Sequence, residues 1–329
     1  MKKITVSLIA EKAQVSPATV SRVLNHRELV KEATIRKVEE AMRSLGCQME
    51  NTVTVSKETQ PLIVLNIPGI ENAFYQEIIQ GARVSAKAHG CHLLIHESHL
   101  NKGNMLEFCN LLRRVDAAGV ILLNRIPEEA LNQIRTIAPL VQCCEYNEHA
   151  DYPYVSIDDT RAAEIATEYL LSNGGNKIAL INGPGNFKYA KRRQEGFMNA
   201  LQKAEVMIPK QWIVQLPEVR YEMAYAAVCR LLNSDSRPNA FFTISDVFAA
   251  AVIRAAKRFH LHVPRDILVV GFDNIELSSM TSPSITTVNQ PKFQMGYTAC
   301  EMLLELMEDP HEEMKSLLLD TELVIREST

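Results

Sequence analysis

The sequence predicts a small all-α headpiece at residues 1–46, a tether at 47–60, and a two-lobed α/β domain at 61–329. Three observations carry that prediction. Apolar residues recur at helical spacing in three short runs before residue 46. From Pro61 onward, short apolar runs alternate with amphipathic stretches, the pattern of a parallel sheet wrapped by helices. Roughly ten such units are too many for one small layer, so two similar lobes with a cleft between them are expected. With 329 residues, 47% of them hydrophobic and 22% charged, the chain has the proportions of a folded protein with a sizeable core.

The first helix is read from Val6, Ile9, Ala10 and Ala13, which fall on one face. Gln14-Val15 interrupts it. Ser16-Pro17 then supplies a capping oxygen followed by proline at the first helical position, where its missing N–H costs nothing. The second helix turns Val20, Val23 and Leu24 inward, leaving Ala18, Ser21 and Arg22 outward with Thr19 at the margin. Small and hydroxyl side chains around one arginine suit a helix entering a major groove, where arginine pairs with guanine and hydroxyls reach phosphates. A third helix, from about Glu32 to Leu45, buries Ile35, Val38, Met42 and Leu45.

Charge agrees with that end as the nucleic-acid side. The whole chain is net −4, but residues 1–60 hold ten of the 35 Lys and Arg and seven of the 39 Asp and Glu. The headpiece and tether are therefore mildly basic and the remainder acidic.

In the large domain, strands are expected at Leu62–Leu65, His92–Ile95, Gly119–Leu123, Lys177–Ile181, Ala240–Thr243 and Ile267–Gly271. Helices are expected at Phe74–His89, Ala162–Ser172, Gln194–Ala204 and Phe248–Phe259. The chain should cross between lobes near Asp158–Arg161, Val288–Pro291 and Leu319–Glu322, and ligands should bind at strand C-terminal ends facing the cleft.

The run Val15-Ser16-Pro17-Ala18-Thr19-Val20-Ser21-Arg22-Val23-Leu24-Asn25, with Leu45-Gly46 after it, closely resembles the headpiece of the lactose/galactose-repressor family. The likeness continues through Asn72–Gly81, Val155–Asp159, Ile178–Pro184, Arg193–Phe197, Ser245-Asp246, Gly271–Asn274 and Thr286–Pro291, closest in flavour to the purine and cytidine repressor branch. That resemblance implies a helix-turn-helix headpiece and a periplasmic-binding-protein-like sensor domain. It implies a homodimer on two-fold symmetric operator DNA, because one headpiece covers a half-site. By the same resemblance Pro17, Ala18 and Arg22 match base-reading positions. Thr5, Ser16, Thr19, Ser21 and Asn25 match positions that anchor phosphate and sugar. The implied function is a transcription regulator, a repressor, modulated by a small sugar or nucleoside- or purine-like effector.

The tether departs from the family pattern. Cys47, Met49, Glu50, Thr54 and Ser56 stand where tyrosine, proline, asparagine, arginine and a wedge leucine are usual. A β-branched run without an apolar wedge predicts less helix and less DNA bending there.

For the effector, Phe74 and Tyr75 offer aromatic faces, Arg193 a planar fork of donors, and Asp158, Asp246 and Asp273 carboxylate acceptors. Each has a structural alternative: core packing for Phe74 or Tyr75, a helix cap for Asp246, a turn for Asp273 beside Asn274.

The competing reading is a carbohydrate-binding protein or α/β enzyme without DNA binding. Against an enzyme, no G-x-G-x-x-G, phosphate-loop or G-x-S-x-G motif is present. The seven cysteines are scattered with no C-x-x-C pair, and His89, His92, His96 and His99 would point in different directions, so neither cofactor nor metal is expected. Glu11-Lys12 interrupts the one apolar stretch that resembles a leader, and no apolar run spans a membrane. A cytoplasmic protein with reduced thiols is expected. No leucine-heptad tail follows Thr329, which favours a dimer over a tetramer built on such a tail.

Overall fold

The computed structural model describes residues 6–17, 19, 20, 23, 30–45, 60–309 and 316–329. The chain divides into two compact units, Met1–Gln60 and Pro61–Thr329.

In the first unit, α1 (Val6–Ala13) and α2 (Glu32–Ser44) flank a helical segment that includes Pro17, Thr19, Val20 and Val23. Their apolar stripes meet in one small core of Ile9, Ala10, Ala13, Val20, Val23, Ile35, Val38, Ala41 and Met42. The Ser16 hydroxyl accepts the Thr19 N–H at 3.1 Å, satisfying one of the orphan donors of a helix start. Thr5, Ala18, Ser21, Arg22, Leu24, Asn25 and the tether residues 47–59 lie outside the described residues.

The second unit starts with β1 (Leu62–Ile67), α3 (Phe74–Ala88), β2 (His92–Glu97), α4 (Met105–Arg114), β3 (Ala117–Leu122), α5 (Glu128–Arg135), β4 (Leu140–Cys143) and β5 (Tyr154–Ile157). The chain then crosses to a second lobe. There it forms α6 (Asp159–Ser172), β6 (Ile178–Asn182), α7 (Lys188–Lys203), β7 (Ile213–Gln215), α8 (Tyr221–Leu232), β8 (Ala240–Thr243), α9 (Asp246–Arg258), β9 (Leu268–Asp273), α10 (Leu277–Met280) and β10 (Thr286–Asn289). It returns for α11 (Lys292–Glu308) and β11 (Leu317–Leu319), and crosses a last time to β12 (Glu322–Val324).

Both sheets have six strands in the same permuted order, β11-β5-β4-β3-β1-β2 and β12-β10-β9-β8-β6-β7. All pairings are parallel except β10 with β12. Buried on both faces, the central strands are near-continuous apolar runs, as parallel strands must be. The three crossings fall where the sequence reading placed them, before α6, before α11 and between β11 and β12.

Each lobe seats the helix that follows a crossing by very close backbone approach. A Cβ on Gly81 of α3 would lie 2.0 Å from the Phe293 carbonyl oxygen of α11, and one on Gly296 of α11 2.0 Å from that of Ile78. In the second lobe, a Cβ on Gly196 of α7 would lie 2.0 Å from the Thr160 carbonyl oxygen of α6. Glycine at these crossings lets helix backbones touch, which fixes where the N-terminal residues of α6 and α11 emerge into the cleft.

Candidate functional site

Arg193 of α7 is the centre of the polar cluster between the lobes. It is 5% exposed. Its Nε donates to Asp159 Oδ1 at 2.9 Å, a terminal nitrogen donates to the Ile244 carbonyl at 2.7 Å, and the same nitrogen lies 3.6 Å from Asp273 Oδ1. The guanidinium sits 3.5 Å from the Phe272 ring centroid and 5.0 Å from that of Tyr189. The other Asp159 oxygen accepts from Lys188 Nζ at 2.8 Å, and that ammonium faces the Tyr146 ring at 4.6 Å. Three charges are therefore buried together, an arrangement whose members depend on one another because each alone would be desolvated without a partner. Burial pushes the Asp159 carboxyl up, but Arg193 and Lys188 more than offset it and hold the group below its ordinary value. Asp159 is also the first residue of α6, where the helix dipole favours negative charge.

Behind this cluster, Asp246 accepts the Thr287 hydroxyl at 2.6 Å and the Ile275 N–H at 2.9 Å. The capping of α9 falls to Ser245, whose hydroxyl accepts the Val247 N–H at 3.3 Å, and not to Asp246. Burial, then the neighbouring Asp273, pushes the Asp246 carboxyl up to about 8. Asp273 itself sits at φ 103°, a backbone region unusual for a residue with a side chain. It is held there from two sides: its carboxylate accepts from Gln290 Nε2 at 2.7 Å, and its carbonyl from Lys292 Nζ at 2.6 Å. Burial pushes its carboxyl up to about 6 despite the opposing pull of Arg193 and Lys292. Lys292, the first residue of α11, also donates to the carbonyls of Asn274 at 3.2 Å and Gln290 at 3.4 Å and lies 3.4 Å from Glu77 of α3.

The first lobe supplies Tyr75 and Glu145. Burial raises the Tyr75 phenol well above its usual range, and Cys144, Tyr189, Glu145 and Asp273 add to the effect, so its hydroxyl stays a neutral donor among groups from both lobes. Glu145 follows β4 and reaches across to α7, where its two oxygens accept the Lys188 N–H at 2.9 Å and the Tyr189 N–H at 3.0 Å. Burial raises the Glu145 carboxyl and Lys188 opposes it. Two outer contacts join the lobes at the rim: Arg192 Nε to Glu148 at 3.1 Å, and the His99 ring 5.7 Å from that of Phe187. A hollow of about 490 Å³ between Lys177, Arg237, Asn239 and Asp266 lies instead at the N-terminal ends of β6 and β8. That is the wrong end for a ligand site in a doubly wound sheet.

Of the residues read from sequence, Tyr75, Arg193 and Asp273 come together in the cleft, and Asp246 braces them from behind. Two expectations need correction. Phe74 is 8% exposed and belongs to the apolar core that includes Ile78, its ring standing edge-to-face with that of Tyr75 at a centroid separation of 5.4 Å. Asp158 is exposed and accepts the Arg161 N–H at 2.9 Å, capping α6, so it is the neighbouring Asp159 that enters the cluster. Lys188, Glu145, Gln290 and Lys292 were missed. The adjacent pair Asp158-Asp159 held the clue: if the first caps the helix, the second lies inside its first turn. Lys188 escaped because the helix was expected to begin at Gln194.

In the first unit, Ser16 and Pro17 are exposed, Thr19 is half-buried, and the Ser16 and Thr19 hydroxyl oxygens are 2.8 Å apart. Among the described residues, no group of three or more His, Cys, Asp or Glu has metal-binding geometry, and no helix is long and apolar enough to cross a membrane.

A helical headpiece joined to two doubly wound lobes that meet over a buried polar cluster defines a DNA-binding regulator with a periplasmic-binding-protein-like sensor domain. Residues 5–48 match the family described as "Bacterial regulatory proteins, lacI family", and residues 167–329 match "Periplasmic binding protein-like domain". The chain is 34% identical to the HTH-type transcriptional repressor CytR of Escherichia coli (strain K12), over 99% of this chain and 96% of the relative. It is 30% identical to the HTH-type transcriptional repressor PurR of Aliivibrio salmonicida (strain LFI1238), over 98% of each. The structure of the Lac repressor bound to ONPG in the repressed state superposes with a TM-score of 0.77 over the full length of both chains, at 23% identity, a likeness of fold. The chain belongs to the LacI family of bacterial transcription regulators.

Proposed function

We propose that this regulator is a repressor acting in the cytoplasm as a homodimer on a two-fold symmetric operator, its affinity set by a small sugar or a nucleoside- or purine-like effector. The observation that carries the effector reading is the Arg193–Asp159–Asp273 cluster with Tyr75, assembled from both lobes where strand C-terminal ends converge. Arg193 and the Tyr75 hydroxyl offer donors, Asp273 an acceptor, and the Tyr75 and Tyr189 rings apolar faces, a set suited to a hydroxylated ring. The relatives named as repressors support the direction of control. The division at 1–46, 47–60 and 61–329 assigns reading, tethering and sensing to separate stretches. The cleft binds its ligand without turning it over, and the ligand works through its unequal affinity for two arrangements of the lobes.

On this reading Pro17, Ala18 and Arg22 read bases, while Thr5, Ser16, Thr19, Ser21 and Asn25 hold the backbone. Arg22→Ala is expected to cost about 1–3 kcal/mol and to relax preference at one operator position. Anisotropy titrations over single-base operator variants check it, and unchanged affinity with unchanged preference would overturn the assignment. Thermal-shift screening with sugars, nucleosides and purines tests the sensor half.

A further inference from the structure

We propose that Glu145 makes the cleft selective for an uncharged effector over its phosphorylated form; this rests on the effector reading above. The start of α7 is where an incoming phosphate would settle, because free N–H groups at a helix N-terminus attract anions. Here no side chain from the helix's own capping residue, Phe187, fills that role. Glu145 does, bringing a carboxylate from the other lobe onto the N–H groups of Lys188 and Tyr189, and it is itself only 5% exposed. The protein has supplied its own anion.

A second observation is independent of the helix end. Each buried cation of the cleft is already matched within the chain: Lys188 by Asp159, Arg193 by Asp159 and the Ile244 carbonyl, Lys292 by the carbonyls of Asp273, Asn274 and Gln290. Facing these three cations are the three buried carboxylates Glu145, Asp159 and Asp273, with Asp246, its carboxyl pushed up to about 8 by burial, behind them. No positive charge is in surplus to receive a phosphate dianion. A phosphorylated ligand would have to displace Glu145, stranding a buried carboxylate without donors and breaking one of the buried contacts between the lobes. A neutral hydroxylated ring leaves that contact intact and still meets Tyr75, Arg193 and Asp273.

The test uses the full chain and calorimetric titration with ribose, cytidine, adenosine and guanosine, each beside its 5′-phosphate, together with thermal shifts in inorganic phosphate against chloride at equal ionic strength. Whichever neutral probe binds is expected to do so roughly 100-fold more tightly than its phosphate, and Glu145→Gln or Glu145→Ala to narrow that ratio by about tenfold or more. Inorganic phosphate should raise the melting temperature of Glu145→Ala and leave that of the parent unchanged. Glu145→Gln keeps one acceptor for the helix end and carries the ratio measurement if the alanine variant fails to fold. A phosphate ester that binds the parent as well as its neutral partner overturns the proposal, as do variants that change neither the ratio nor the phosphate response. If no neutral probe binds but phosphate still stabilises only the variants, the selectivity of Glu145 stands and the sugar or nucleoside reading falls. If a neutral probe binds and the variants behave as the parent, the reverse holds.

Discussion

The two lobes of the sensor domain share one strand order and one way of docking a crossing helix, yet the chemistry at their strand ends differs. In the first lobe Asn66, at the end of β1, donates to the His96 ring at 3.0 Å and to the Ser98 carbonyl at 3.2 Å, and accepts from Asn124. In the second lobe Asn182, at the matching end of β6, donates to Gln194 and Gln215 at 3.1 and 3.2 Å. Both asparagines lash a central strand to its neighbour. Around the second, however, stand Lys188, Arg193, Asp246 and Asp273, all buried, whereas the first lobe's strand ends are mostly amides and hydroxyls, with Glu145 its buried carboxylate. The second lobe is a charged platform, and the first a largely neutral face that meets it.

That difference is tested most severely at Asp159. Replacing it with alanine removes the partner of two buried cations, so a loss of about 3–5 kcal/mol is expected in urea unfolding. Substitution of the neutral counterpart network through Asn124→Ala should cost only about 1–2 kcal/mol. Equal losses would erase the distinction between platform and face. Lys292→Met probes the seam between them: the apolar stem is kept and the ammonium that holds three carbonyls is lost, with about 2–3 kcal/mol expected.

The repeated framework was readable in the sequence because parallel strands and amphipathic helices each leave a periodic signal. The charged platform was only partly readable. Arg193 and Asp273 lie in stretches that resemble the family's landmarks and offer a donor fork and an acceptor, but the same reading takes Asp158 rather than Asp159 and pairs Phe74 with Tyr75. In both cases neighbours in sequence point to opposite surroundings. Which of the two faces the cleft depends on where the helix begins, to within one residue, and that is the detail periodicity defines least well. Glu145 carried no local signal, since its partners Lys188 and Tyr189 lie 43 and 44 residues away, and Lys292 carried little, since two of its three carbonyl partners lie 19 and 18 residues away and meet it only through the fold.

Acid–base behaviour divides the carboxylates within the second lobe itself. Asp273 at about 6 and Asp246 at about 8 retain protons in the folded state that an unfolded aspartate, near 4, has lost. Stability is therefore expected to fall as pH rises from about 4 through 6 and 8, and to level off beyond. Asp159, held low, acts in the opposite sense: its contribution is present above about 4 and is lost on acidification. Together they place the optimum near pH 4, with the steepest decline between about 4 and 6. A decline on the order of 2–3 kcal/mol from pH 6 to 8 is expected, flattened by Asp246→Asn. A slope that survives that substitution unchanged would move the titrating group out of the platform.

The smallest effect is expected at the rim, where Arg192 of the second lobe meets Glu148 of the first. The Arg192 side chain is 42% exposed and that of Glu148 26%, so water and salt screen the pair as they do not screen Arg193 and Asp159. The hydrogen bond from Arg192 holds the Glu148 carboxyl below its ordinary value, which shows the contact but not a large free energy. Arg192→Ala should cost no more than about 1 kcal/mol, and less in high salt. A larger, salt-insensitive loss would mean that the lobes are held at their rim, and that the buried charges organise the ligand site without joining the lobes.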